Sequence, residues 1–163
     1  MNRVLFALGA TIMTAAPALA EPEYVTIEME VDVAKPAEEV WAAVGGYCDI
    51  GEWLSVDCEI TSGDGGMGTA RVLAGGRVTE VLVAQTDLSY GYTQPSREGQ
   101  FYDLYHGFME AKPVTGDTSK IVYTLVYDIS DKPDQASKDA DIQRRRGMFE
   151  TALENMKRIA EAR

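Results

Sequence analysis

The chain has 163 residues, with 15 Lys and Arg against 26 Asp and Glu and a formal net charge of −11. A surface of that sign repels phosphate backbones, which argues against nucleic acid as a partner and would suit a basic protein. One histidine and two cysteines offer no paired ligand spacing for a metal ion, and no cofactor motif is present.

Residues 1–20 read as a secretory signal. Arg3 is the positive start, Val4 to Met13 the apolar run, and Ala18-Leu19-Ala20 the small-x-small cleavage site. The run is too short to span a membrane, which takes about 20 apolar residues. The expectation is an exported protein, periplasmic or secreted, with one domain over 21–163 and no span after cleavage. A mature chain of that size buries roughly two-thirds of its unfolded surface, enough for a core without a metal. Cys48 and Cys58 are candidates for a disulfide in an oxidising compartment. The ring is short, and closing it is worth about 2–3 kcal/mol by chain entropy; two buried free thiols are the alternative.

From Tyr24 to Val33 apolar and polar residues alternate, which predicts a half-buried strand. Pro36 opens a helix with Glu38 and Glu39 in its first turn, Val40, Trp41 and Val44 as its apolar stripe, and Gly45-Gly46 as its stop. A second short helical turn follows over Asp49 to Leu54. Strands are then expected over Val56–Ser62, Thr69–Leu73, Arg77–Gln85, Leu88–Gln94, Tyr102–Pro113 and Lys120–Ile129. Gly63 to Gly68 and Gly75-Gly76 supply turns between them, and residues 95–100 form a polar loop. Beyond Pro133 the period changes. Ile142, Phe149, Leu153, Met156 and Ile159 recur at helical spacing and predict one long helix from about Ser137 to Ala162. This order belongs to the α+β class.

The order and its punctuating residues resemble the START/SRPBCC superfamily of birch-pollen-allergen-type, polyketide cyclase-like and abscisic-acid-receptor proteins. The residues that carry the resemblance are Ala34-Lys-Pro-Ala-Glu-Glu-Val-Trp41, Trp53, Gly68-Thr-Ala-Arg-Val72, Val78-Thr-Glu-Val-Leu82, Leu88-Ser-Tyr90 and Tyr105-His-Gly107. The resemblance implies a helix-grip fold: a curved seven-stranded antiparallel sheet wrapped around the C-terminal helix, with a cavity between them. The plant receptors' gate and His-Arg-Leu latch have no counterpart at Ala74-Gly75-Gly76 or over 95–101, so a hormone switch is not expected.

On that fold, period-two spacing turns Tyr90, Tyr92, Tyr105, Gly107, Met109, Tyr123, Leu125 and Tyr127 toward the cavity. The helix adds Met148, Ala152 and Asn155, and Trp53 and Leu54 are counted with them. The lining is aromatic with phenolic hydroxyls and suits a flat or cyclic apolar ligand with a few polar atoms; tyrosines that simply fill a core are the competing reading. Glu80 shares parity with Val78, Leu82 and Ala84. A carboxylate on that face is desolvated, which raises its pKa and makes it the one candidate for acid–base chemistry or for a ligand hydroxyl. In Arg144-Arg145-Arg146, Arg145 or Arg146 falls on the apolar stripe. The expected arrangement lays its stem on the core and its head in water, and the alternative sets it at the cavity mouth facing an anion. His106 has outward parity, so no Ser-His-Asp device is expected.

Three functions compete: an exported binding protein for a small hydrophobic ligand, lipid-like, aromatic or polyketide-like; an accessory protein for a periplasmic dehydrogenase and cytochrome; and a cyclase or dehydratase using Glu80 and a tyrosine. The second rests on likeness to a small periplasmic superfamily member associated with methanol oxidation, carried by Val40 to Gly45 and Gly68 to Leu73. The first is the leading expectation, with catalysis the less favoured one.

Overall fold

In a computed structural model of the chain, residues 21–96 and 103–163 are described. The expected signal sequence over residues 1–20, most of the polar loop and the first residue of the strand expected from Tyr102 lie outside them. Ten elements follow in order: β1 (Tyr24–Val33), α1 (Ala37–Val44), α2 (Ile50–Trp53), β2 (Cys58–Ser62), β3 (Ala70–Leu73), β4 (Val78–Thr86), β5 (Ser89–Thr93), β6 (Tyr105–Pro113), β7 (Ser119–Asp128) and α3 (Gln135–Ala162). The seven strands form one antiparallel sheet in the order β1-β7-β6-β5-β4-β3-β2. This is the helix-grip arrangement.

Strand β1 closes one side of the sheet by pairing along its whole length with β7, from Tyr24 opposite Asp128 to Val33 opposite Ser119. That register puts Ile27, Met29 and Val33 on the same buried face as Ile121, Tyr123, Leu125 and Tyr127. The outer residues of β1, Thr26, Glu28, Glu30 and Asp32, are exposed, so the alternation in the sequence is the alternation of the pleat. The helix α3 starts where the Asp134 side chain accepts the Ser137 amide at 2.7 Å, the usual capping arrangement. Its inward stripe is Asp141, Phe149, Ala152, Leu153, Met156 and Ala160. Met148, expected to face the interior, is 38% exposed. One residue is 100° of helix, and the inward position at this level belongs to Phe149 of the predicted apolar stripe.

Strand β4 departs from simple alternation. Its pairing with β5 slips between Leu82 and Ala84, and the extra residue turns Ala84 to the outer face, where it is exposed. Val78, Glu80 and Leu82 keep the inward parity. Cys48 and Cys58 are joined in a disulfide that ties the segment before α2 to the start of β2.

Candidate ligand-binding site

The inner face of the sheet carries a row of polar and aromatic side chains running across it. Arg71 on β3 lies opposite Glu80 on β4. Glu80 accepts from Gln94 Nε2 at 3.2 Å, and the Gln94 amide donates to the Tyr105 carbonyl at 3.0 Å. Tyr105 on β6 lies opposite Tyr127 on β7. Four hairpins and one register therefore assemble a continuous strip from residues spread over 57 positions of the sequence.

At the closed end of the strip, Arg71 is fully buried. Its Nε and Nη2 donate to Glu80 Oε2 at 2.9 and 2.6 Å, and its Nη1 donates to the Tyr47 carbonyl. The guanidinium lies 4.1 Å from the centre of the Tyr47 ring, 5.2 Å from Tyr92 and 5.8 Å from Tyr90. Burial alone would lower its pKa, but the Tyr90 ring oxygen and Glu80 outweigh it, and the group sits above the usual arginine range. Glu80 is thus one half of a buried ion pair and not a free carboxylate in an apolar wall, because its cross-strand neighbour brings the compensating charge. Its Oε1 faces Gln94.

At the open end, Asp141 of α3 accepts from Arg145 Nε at 2.9 Å on Oδ2 and from Arg144 Nη2 on Oδ1. Desolvation pushes the Asp141 carboxyl upward, but the two arginines prevail and hold it down at about 2. The Arg145 guanidinium is stacked 4.4 Å from the centre of the Tyr127 ring and 5.1 Å from Tyr105. Arg145 therefore stands at the mouth, over the tyrosines, whereas the sequence pointed to a head in water. Arg146 reaches outward to the Glu28 carbonyl at 3.2 Å.

A cleft of about 420 Å³ opens at this end, within the roughly 300–1,000 Å³ range of small-molecule sites. Tyr105, Tyr127, Val78 and Leu104 form its apolar walls, Gln94 and Arg145 stand among them, and the rim is charged, with Arg77 and Lys132 facing Asp103, Asp128 and Asp131. The remaining predicted lining lies deeper. Tyr92 and Tyr123 hydrogen-bond through their hydroxyls at 2.8 Å. Tyr123 packs 4.7 Å from Phe149 and 6.3 Å from Trp53, centre to centre. Tyr90, Met109, Leu125 and Ala152 are buried in the same core. Gly107 lets Tyr92 reach Tyr123, since a Cβ there would stand 2.2 Å from the Tyr92 ring. Asn155 fastens α3 to α2 by donating to the Trp53 carbonyl at 3.1 Å, and Leu54 is half-buried beside the core. His106 is half-buried on the outward parity.

The phenols around the strip are held protonated. Burial raises Tyr90, Tyr92, Tyr105 and Tyr123, and takes Tyr127 up to about 12. They present hydrogen-bond donors at neutral pH. The indole N–H of Trp53 is buried and has no hydrogen-bond partner among the described residues. Also among the described residues, no group of three or more His, Cys, Asp and Glu side chains could hold a metal ion. No helix there is long and apolar enough to cross a membrane.

Residues 24–161 match the profile of a family described as polyketide cyclase / dehydrase and lipid transport. The chain belongs to this family. Solved structures share its fold. The crystal structure of Ara h 8.0201 superposes with a TM-score of 0.57 at 22% identity, over 82% of this chain and 98% of that one. The protein XoxI from Bacillus cereus gives 0.60 at 20% identity, over 83% and 93%. Norcoclaurine synthase from Thalictrum flavum, in complex with dopamine and hydroxybenzaldehyde, gives 0.61 at 16% identity, over 92% and 95%. No curated protein matches the sequence.

Missed by sequence reasoning were Arg71 as a partner of Glu80, Tyr47 as its platform and Gln94 as the link to Tyr105. The signal for the first was present. Counting outward from the Gly75-Gly76 turn sets Ala74 against Arg77, and then Arg71 against Glu80.

Proposed function

We propose that the chain is an exported binding protein that holds one small hydrophobic ligand between the open end of the sheet and α3. The observation that carries this reading is the cleft walled by Tyr105 and Tyr127 and bordered by Arg145 and Gln94. Aromatic side chains beside fixed polar groups hold a flat apolar ligand by its faces and orient it by its polar atoms. The family, which groups cyclases and dehydrases with lipid transport, supports a ligand of this class, and the leader over residues 1–20 supports export. Glu80, with Arg71 on one oxygen and Gln94 on the other, is tied into the wall behind the cleft.

The test is extraction of natively purified protein with organic solvent, followed by mass spectrometry, on the wild type and on Tyr127→Ala. A stoichiometric small molecule in the wild type, depleted at least about tenfold in the variant, is expected; losing a well-packed aromatic contact of about 1.4 kcal/mol or more gives that factor. Wild-type protein that carries no small molecule and takes up none from a panel of apolar compounds would overturn the reading.

A further inference from the structure

The charged groups around the cleft are unequally satisfied. On the acidic side, Asp141 is bound by two arginines. Asp131 is paired with Lys132 at 2.6 Å. Asp128 accepts from the Ser130 amide at 2.8 Å and from the Ser130 hydroxyl, and Asp103 also has a partner. On the basic side, Arg145 spends only its Nε on Asp141, and its two Nη groups make no ion pair among the described residues. Arg77, on the same rim, donates Nε to the Ala74 carbonyl at 2.8 Å and likewise has no ion pair there. The cleft thus has spare cationic donors and occupied acceptors, although the protein as a whole carries a net charge of −11.

We propose, building on the reading of the cleft as a small-molecule site, that its ligand is a compact aromatic or alicyclic anion whose acidic group is held by Arg145. The guanidinium is already fixed, gripped at Nε by Asp141 and stacked on Tyr127 and Tyr105. A fork held in this way loses little freedom on binding, and its two Nη groups match the two oxygens of a carboxylate or sulfonate. The ring of the ligand then rests against the apolar walls formed by Tyr105, Leu104 and Val78. Asp141 acts as a positioning residue for Arg145, and Arg77 supplies longer-range attraction from the rim.

Two fluorescent probes separate this inference from the reading beneath it. 8-Anilinonaphthalene-1-sulfonate and N-phenyl-1-naphthylamine share a skeleton and differ by the sulfonate. Titration of the folded wild type is expected to show the sulfonate binding at least about tenfold tighter, the factor that one charge-assisted hydrogen bond supplies. Arg145→Gln is expected to abolish that preference, so that the two probes bind the variant with affinities within about twofold of each other. Arg145→Lys, which keeps the charge without the fork, falls between the two and guards against an effect of misfolding, as does an unchanged circular dichroism spectrum. If the wild type binds both probes equally, or Arg145→Gln leaves the preference intact, the anion inference fails while the hydrophobic site stands. If the wild type binds neither probe, both readings fail.

Discussion

Arg71 and Arg145 are built alike and placed differently. Each pairs with a carboxylate and lies over two or more tyrosine rings. Arg71 comes from a central strand and is sealed under Tyr47, whose carbonyl it also holds. Arg145 comes from the amino-terminal half of α3, and its side chain remains 23% exposed at the cleft. The same chemistry therefore does two things. Where all three guanidinium nitrogens donate and water is excluded, the pair ties β3, β4 and the segment before α2 together. Where both Nη groups are left without an ion pair beside an aromatic wall, the pair is placed to act as the recognition device proposed above.

The largest effect that sharpens this contrast is expected for Arg71→Ala. Removing one member of a buried ion pair strands the other, at a cost of about 3–5 kcal/mol. Urea unfolding followed by circular dichroism measures it; a loss under about 1 kcal/mol would mean that Glu80 finds water and that the closed end is not closed. Next comes Gly107→Ala. The added methyl collides with the Tyr92 ring, and overpacking of this kind costs about 1–3 kcal/mol. The variant is expected to lose stability and near-ultraviolet tyrosine ellipticity together, because Tyr92 must release Tyr123; unchanged ellipticity would place the Tyr92 ring elsewhere.

The smallest effect belongs to the open end and depends on pH. Asp141 is held at about 2 by Arg145 and Arg144, below its ordinary 3.8. The folded state then binds fewer protons than the unfolded state between those values, so stability rises with pH through that window. The contribution is complete above about pH 4 and is lost as pH falls toward about pH 2. A difference in melting temperature between wild type and Asp141→Asn should stay constant above that window and shrink within it. A difference that does not depend on pH would remove the arginines as the cause.

Much of the architecture was legible because it rests on local periodicity. Tyr90, Tyr92, Met109, Tyr123, Leu125 and Tyr127 are all buried, as period-two spacing required. The failures have local causes too. A bulge after Leu82 reversed Ala84, and Met148, one residue before Phe149 of the predicted stripe, is turned out of the core. The site was harder to read, because it depends on which residues stand opposite one another. Glu80 was visible as a carboxylate on an apolar face, but its meaning changed once the register set Arg71 against it. The run of tyrosines looked like one continuous lining. Its inner members interlock with Phe149 and Trp53, and Tyr105 and Tyr127 alone among them line the cleft. Side-chain interlocking of that kind has no signature in spacing.

The central claim is that small molecules enter at the Tyr105–Tyr127 end. A crystal structure of the protein soaked with 8-anilinonaphthalene-1-sulfonate tests it most directly. The account requires the ring system against Tyr105 and Tyr127 with the sulfonate on the Arg145 Nη groups. A fully occupied probe on the outer sheet face beside Phe108 and Val83, with the cleft bare, would contradict it.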